Sequence, residues 1–152
     1  IQRLSQLTLR TNQFNSTTIR LDKNAIKKIL KDKKKIIYEC SAVDRFGDYG
    51  IIALAIVTLS KKNTLMTNFL MSCRALGREI ENSFVNYIVM DLKKNYKKIY
   101  LEILYKKNNK NNLVKKFLNK NFKKVSKTGN YYTSWQSKLV DSKYKLMQIN
   151  EK

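Results

Sequence analysis

The sequence predicts one α/β domain in which a mixed sheet carries helices on its faces. Three observations lead there. The run Ile51–Leu59, apolar except for Thr58, predicts a strand covered on both sides. Ile80, Phe84, Tyr87, Ile88 and Leu92 recur at helical spacing. The early strands are separated by short polar turns and the later ones by helical stretches, so hairpins give way to crossovers along the chain. With 152 residues there is enough chain for one core and too little for two comfortable ones.

At the start of the chain, Ile1, Leu4 and Leu7 are spaced three apart, which predicts a helix over residues 1–10. The polar loop "TNQFNSTTIRL" leads into a strand expected near Thr17–Leu21. Asp22 is placed to cap a lysine-rich helix whose apolar stripe is Ala25, Ile26, Ile29 and Leu30. Ile36, Tyr38, Cys40 and Ala42 alternate as a strand, and "DRFGDYG" (Asp44–Gly50) reads as the hairpin loop before Ile51–Leu59. "KKN" turns into a strand over Thr64–Ser72, and the helix after Gly77 runs to about Asn95. A strand at Lys98–Tyr105 comes after it. A helix with Leu113, Val114, Phe117 and Leu118 inward is next, then a last strand at Asn130–Leu139. Asp141–Lys152 reads as a tail or edge segment.

Composition narrows the chemistry. No histidine is present, which excludes Ser-His-Asp and Cys-His catalysis and the usual zinc catalytic sites; no metal is expected. Two cysteines, Cys40 and Cys73, make no disulfide framework, so a reducing cytoplasm is the expected compartment. No apolar run reaches membrane-span length, and no membrane partner is expected. The net charge of +21 suits an acidic partner, but only six of the 32 basic residues are arginine. No aromatic-basic interleaving of the base-stacking kind accompanies it, so nucleic acid is not the expected partner.

The junction "MSCRALGREIE" (Met71–Glu81) carries the most chemistry. A buried strand ends, and Arg74 and Gly77 stand just before a helix whose first amides have no intrahelical acceptor. Glycine permits close backbone approach and arginine adds a charge-assisted contact, so the junction either holds a phosphate or merely turns the chain. Cys73, beside Arg74, is either a nucleophile or packing, whereas Cys40 belongs to a strand and to the core. In "DRFGD", Asp44 and Asp48 flank Arg45 as candidate bases, or as turn residues that pair with it. Glu102 is another possible base, or a strand-edge charge facing water, and "TNQFN" (Thr11–Asn15) either hydrogen-bonds an acyl group or closes a lid over the cleft, or uses its amides to satisfy loop backbone.

"R-A-L-G-R-E" resembles the Q/R-x-x-G-x-G/A pattern by which GNAT acyltransferases bind the pyrophosphate of coenzyme A, and the element order resembles theirs across nearly the whole chain. The resemblance extends to the GNAT-like C-terminal domain of FkbH-like proteins through "QLTLRTNQFN" (Gln6–Asn15), "DRFGDYGII" (Asp44–Ile52), "MSCRALGREIE" and "KNNLVKKFLNKNF" (Lys110–Phe122). It implies a GNAT-like fold over residues 1–152, cut from a longer chain with a HAD-type domain upstream; the start at Ile1 fits such an excision. It also implies an acyl-CoA ligand or the phosphopantetheine of an acyl carrier protein, with acyl or glyceryl transfer to an amine, hydroxyl or thiol. The arm is expected alongside the strand at Phe69, Leu70, Met71 and Ser72. The phosphate is expected over Arg74, Ala75, Leu76, Gly77, Arg78 and Glu79, with Asn111 contributing from the second helix.

Three departures qualify the expectation. Glu79 replaces a small residue, and its carboxylate opposes a diphosphate, so a single phosphodiester is better tolerated; Arg78 is placed to offset it. Leu118 stands where many GNAT enzymes have a proton-donating tyrosine. Asn121 replaces a glycine at a helix end, a conformation Asn tolerates. Without the usual general acid, the alternative is a non-catalytic module that docks an acyl carrier protein. Lys93–Lys127, with Glu102 its single acid, supplies a basic face for such a partner or only a solvated one.

Overall fold

A computed structural model describes residues 1–61, 64–98, 100–128 and 132–138. Helices α1 (Gln2–Arg10) and α2 (Lys23–Lys31) precede strands β1 (Lys35–Asp44), β2 (Gly47–Leu59) and β3 (Thr64–Met71). A short 3₁₀ turn, Cys73–Ala75, leads to α3 (Ile80–Tyr96). Strand β4 (Tyr100–Lys106), helix α4 (Asn112–Asn121) and the hairpin β5 (Lys123–Thr128) and β6 (Tyr132–Lys138) complete the fold. The sheet order is β1-β2-β3-β4-β6-β5. Among the described strands, β3 and β4 form the one parallel pair, because α3 carries the chain between them.

Two apolar clusters show how the sheet is covered. Leu54, Ile56 and Leu70 pack with Leu4, Leu7 and Ile26 of α1 and α2 on one face. Ala53, Ala55, Val57, Phe69 and Met71 pack with Phe84, Ile88, Leu92, Val114 and Phe117 of α3 and α4 on the other. β2 is therefore sandwiched, as its apolar run predicts. Cys40 is a core residue, 4% exposed, and burial pushes its thiol up to about 11. Tyr38 ties β1 to α3 through a 2.5 Å hydrogen bond to Asp91 Oδ2, and burial followed by that carboxylate drives its phenol far above the ordinary range.

Asp22 caps α2 by accepting from the Ala25 amide at 2.7 Å, as expected. Several other expectations fail. No strand forms over Thr17–Leu21; Thr18 has φ +56°, which a strand cannot contain. β2 begins at Gly47 rather than Ile51, extending into the predicted hairpin loop. Leu30 is 55% exposed and Leu113 42%, so neither joins the core. β5 was not predicted, since "KKVSKT" lacks alternation; it pairs with β6 in a terminal hairpin. Residues 141–152, read as a tail, lie outside the described residues.

Strand β3 is irregular in two ways. Ile56 pairs with Asn68 and Val57 with Met66, leaving Thr67 as the extra residue of a bulge. The bulge puts Met66 and Phe69, three apart, in the same core cluster. Parallel pairing with β4 then ends at Met66↔Ile103, although both strands continue. Beyond that point the two strands are no longer paired with each other.

Candidate functional site

The turn between β3 and α3 is set by backbone geometry. Ser72 N–H donates to Ile52 O at 2.7 Å, which anchors the strand end. Gly77 (φ +80°) and Glu79 (φ +58°) are both left-handed and reverse the chain into α3. No side chain caps α3, and its first described intrahelical acceptor is Glu79 O, used by Ser83 N–H at 3.2 Å. The amides of Ile80, Glu81 and Asn82 therefore have no intrahelical acceptor and lie at the positive end of the helix dipole.

This helix start opens onto a cavity of about 390 Å³ shared with α4. Phe14, Leu76 and Phe117 supply apolar wall. Gly77, Glu79, Glu81 and Asn82 line it from the turn, and Leu113, Lys116, Lys120 and Asn121 from α4. Phe14 stacks edge-on against Phe69 and Phe117, with ring centres 5.3 and 5.6 Å away. Glu81 Oε2 is buried without a hydrogen-bond partner. The cavity thus has carboxylates on one wall and ammonium groups on the other. Such a site suits a ligand carrying limited negative charge and an apolar portion.

The residues singled out by sequence fall into separate groups. Gly77, Glu79 and Leu76 line the cavity; Arg74 is exposed on the 3₁₀ turn, and Ala75 is buried. Arg78 points elsewhere. Its Nη1 lies 2.5 Å from Asp44 Oδ2, its Nη2 donates to Tyr49 Oη at 3.3 Å, and its guanidinium lies over the Tyr49 ring. It does not offset Glu79, because the β1–β2 hairpin holds it.

Asp44 and Asp48 are hairpin residues. The Phe46 amide donates to Asp44 Oδ1 at 2.7 Å, and the Gly50 amide donates to Asp48 Oδ1 at 2.7 Å. The Phe46 N–H, then Arg78 and Tyr49, hold the Asp44 carboxyl below the usual carboxylate range, which makes it a weak base. Neither aspartate lines the cavity. Cys73 is exposed, and its thiol faces the Gln13 amide oxygen at 3.7 Å, an acceptor that cannot take its proton.

Asn111 and the strand edge depart most from expectation. Asn111 is fully buried: its Nδ2 donates to Asn15 O and Lys106 O, and its Oδ1 accepts from Tyr105 Oη and Asn108 N. All its hydrogen-bonding capacity is internal, so it is not a cofactor ligand. The edge of β3 is likewise engaged. Ser16 N–H donates to Phe69 O at 2.8 Å, Phe69 N–H to Ser16 Oγ at 3.1 Å, and Met71 N–H to Phe14 O at 2.9 Å. Leu70 and Met71 are fully buried. An arm running alongside Phe69–Ser72 does not fit these bonds. The turn, with its uncapped amides, does fit a phosphate.

Sequence reasoning missed Lys116 and Lys120 as cavity residues, and singled out the segment holding Phe14 for its amides rather than for the ring that lines the cavity. The stripe Leu113, Lys116, Phe117, Lys120, at helical spacing on α4, was the available signal. Leu118 is fully buried, and Asn121 remains helical, its Nδ2 donating to Phe117 O at 2.9 Å.

No protein-family model matches the chain, and no curated protein matches its sequence. Solved structures do match. The ribosomal-protein-S18-alanine N-acetyltransferase from Escherichia coli aligns with a TM-score of 0.62 at 8% identity, covering 95% of this chain and 91% of that one. An aminoglycoside 6′-N-acetyltransferase complexed with coenzyme A gives 0.60 at 11% identity, covering 80% and 82%. A GNAT family acetyltransferase from Elizabethkingia anophelis with acetyl-CoA bound gives 0.56 at 12% identity, covering 77% and 83%. The chain has the GNAT acyl-CoA N-acyltransferase fold. Among the described residues no helix is long and apolar enough to cross a membrane.

Proposed function

We propose that this chain is an acyltransferase-type domain that grips the phosphate end of a phosphopantetheine thioester. The carrier is coenzyme A or an acyl carrier protein, and the acyl or glyceryl group passes to an amine, hydroxyl or thiol. The observation that carries this reading is the cavity that the start of α3, with its uncapped amides, lines together with Lys116 and Lys120. The resemblance of four sequence blocks to the C-terminal domain of FkbH-like proteins supports it, and would add an upstream HAD-type domain and an acyl carrier protein as partners. Fold neighbours bound to acetyl-CoA or coenzyme A lend further support to a donor of this class.

The chain's own residues would act on the donor from three sides. The Ile80, Glu81 and Asn82 amides donate to phosphate oxygens, and Lys116, Lys120 and exposed Arg74 supply charge. Phe14 and Phe117 offer apolar surface to the adjoining part of the arm. Glu79 and Glu81 oppose excess negative charge, which favours one phosphodiester over a diphosphate. When bound, the thioester supplies an activated acyl carbon.

A second reading, a docking module without turnover, is favoured by buried Leu118 and by the commitment of Asp44 and Asp48 to the hairpin. Calorimetric titration with acetyl-CoA and with an acidic phosphopantetheinylated carrier protein tests both. At least one is expected to bind, and Lys116→Ala is expected to weaken it about tenfold, the loss of one charge-assisted contact. Binding with no thioester consumed alongside amine or hydroxyl acceptors selects the docking module. If neither ligand binds, the phosphate reading falls.

A further inference from the structure

We infer that the segment Phe14–Thr17 is a built-in strand that permanently fills the gap between β3 and β4, so that no ligand arm can pair with the edge of β3. Where two strands diverge, their facing backbone groups lack partners and form a natural place for an extended ligand to add. Here that place is taken. Ser16 stands between the strands, its N–H donating to Phe69 O and its carbonyl accepting from Lys106 N–H, each at 2.8 Å. Phe14 O takes the Met71 amide, Ser16 Oγ the Phe69 amide, and Thr17 Oγ1 donates to Thr67 O. An antiparallel bridge between Asn15 and Leu70 completes the pairing.

The segment is locked from three sides. Asn111 Nδ2 holds Asn15 O from the start of α4. Asn15 Oδ1 accepts from the Thr17 and Thr18 amides, and its Nδ2 donates to Thr11 O. Arg20 donates to Thr8 O, Thr11 O and Asn12 Oδ1, fixing the entry from α1. Residues 14–16 are at most 2% exposed, and the Phe14 ring is part of the aromatic core. A ligand that displaced the segment would have to replace this whole network and the burial of that ring. The segment is therefore scaffold rather than lid. The arm of a bound thioester is restricted to the cavity side, against the other face of Phe14; that part of the proposal rests on the thioester reading, and the closed edge does not.

Native-state hydrogen exchange on the free protein tests the closed edge directly. The Ser16, Phe69, Met71 and Lys106 amides are expected to exchange as slowly as those of Ala55 and Val57 in the sheet centre. Exchange as fast as that of the Gly47 amide at the hairpin tip overturns the inference. Repeating the measurement with excess coenzyme A tests the route. The four amides are expected to keep their protection while the Ile80, Glu81 and Asn82 amides slow. Loss of protection at Ser16 on adding coenzyme A shows that the arm displaces the segment, and the inference fails. If the α3 amides respond neither to coenzyme A nor to a phosphopantetheinylated carrier protein, the donor reading fails, while the free-protein rates still decide whether the edge is closed.

Discussion

Two polar loops flank the candidate site, and they are built in opposite ways. The β1–β2 turn, Asp44–Gly50, sits in solvent: Phe46 is 75% exposed, and the two left-handed positions are Gly47 and Gly50. In the segment Thr11–Thr18, Phe14–Thr17 is buried, and the left-handed position is a β-branched threonine, Thr18. Both use Asx-type side chains to satisfy their own amides, Asp44 and Asp48 in one, Asn15 in the other. What separates them is their surroundings. A turn in water can use glycine and charge, whereas a segment inside the sheet needs neutral amides that satisfy every buried group.

The largest expected break comes at Phe14. Phe14→Ala removes a ring that is 2% exposed and touches Phe69 and Phe117, a loss of about 3–5 kcal/mol in chemical denaturation. Phe46→Ala, at the exposed tip, should leave the denaturation midpoint unchanged. Equal costs at the two positions would erase the contrast between the loops.

Asn111→Ala comes next. It removes the bonds that Asn111 makes with the Tyr105 hydroxyl, the Asn108 amide and the carbonyls of Asn15 and Lys106 in or beside the core. Unsatisfied buried groups cost about 1–3 kcal/mol each when nothing relaxes, so a total of roughly 3 kcal/mol is expected. Asn111→Asp should not rescue it, because a carboxylate cannot donate to the two carbonyls. A fully stable Asn111→Ala protein whose Ser16 amide remains protected would show that Asn111 does not hold the segment.

These effects bear on how much of the molecule is legible in its sequence. The helices and most strands were legible because their periodicities are strong: Ile80 to Leu92 on α3, and Ile51 to Leu59 in β2. The false strand at Thr17–Leu21 came from β-branched residues whose propensity was overridden by the Asn15 turn and the left-handed Thr18. β5 was illegible because Val125 is its one large apolar residue, and that residue is 50% exposed. Of the site, the strand-to-helix turn with Gly77 could be read locally. The diversion of Arg78 to Asp44, 34 residues away, could not. Nor could the meeting of Phe14 with α4, since both depend on which surfaces the finished fold brings together.

Thr18 offers a smaller and sharper test. A β-branched residue at φ +56° is strained, and glycine would relieve that strain at the cost of a more flexible unfolded chain. Thr18→Gly is expected to stabilise by less than about 1 kcal/mol, whereas Gly50→Ala, at φ +61° with open space around the added methyl, destabilises by about the same amount. Destabilisation by Thr18→Gly would mean that the contacts of Thr18 outweigh its backbone strain.

The smallest effect concerns the link between the hairpin and the turn. Asp44 is held below its ordinary pKa, first by the Phe46 amide and then by Arg78 and Tyr49. A carboxylate with a depressed folded-state pKa contributes stability above its unfolded pKa, and that contribution fades as pH falls through the folded value. Arg78 is solvent-exposed and Asp44 only partly buried, so the ion pair itself should add little to the denaturation midpoint at neutral pH. Its signature is in titration instead. Arg78→Ala should raise the Asp44 midpoint, followed by NMR, part of the way towards the ordinary carboxylate value. The backbone amide of Phe46, the largest cause, would still hold it down. A midpoint that returned fully to the ordinary value would make Arg78 the dominant partner, and the hairpin would then depend on the turn for its charge state. A midpoint that did not move would leave the hairpin and the turn electrostatically independent, with Arg78 free to engage a ligand at little cost.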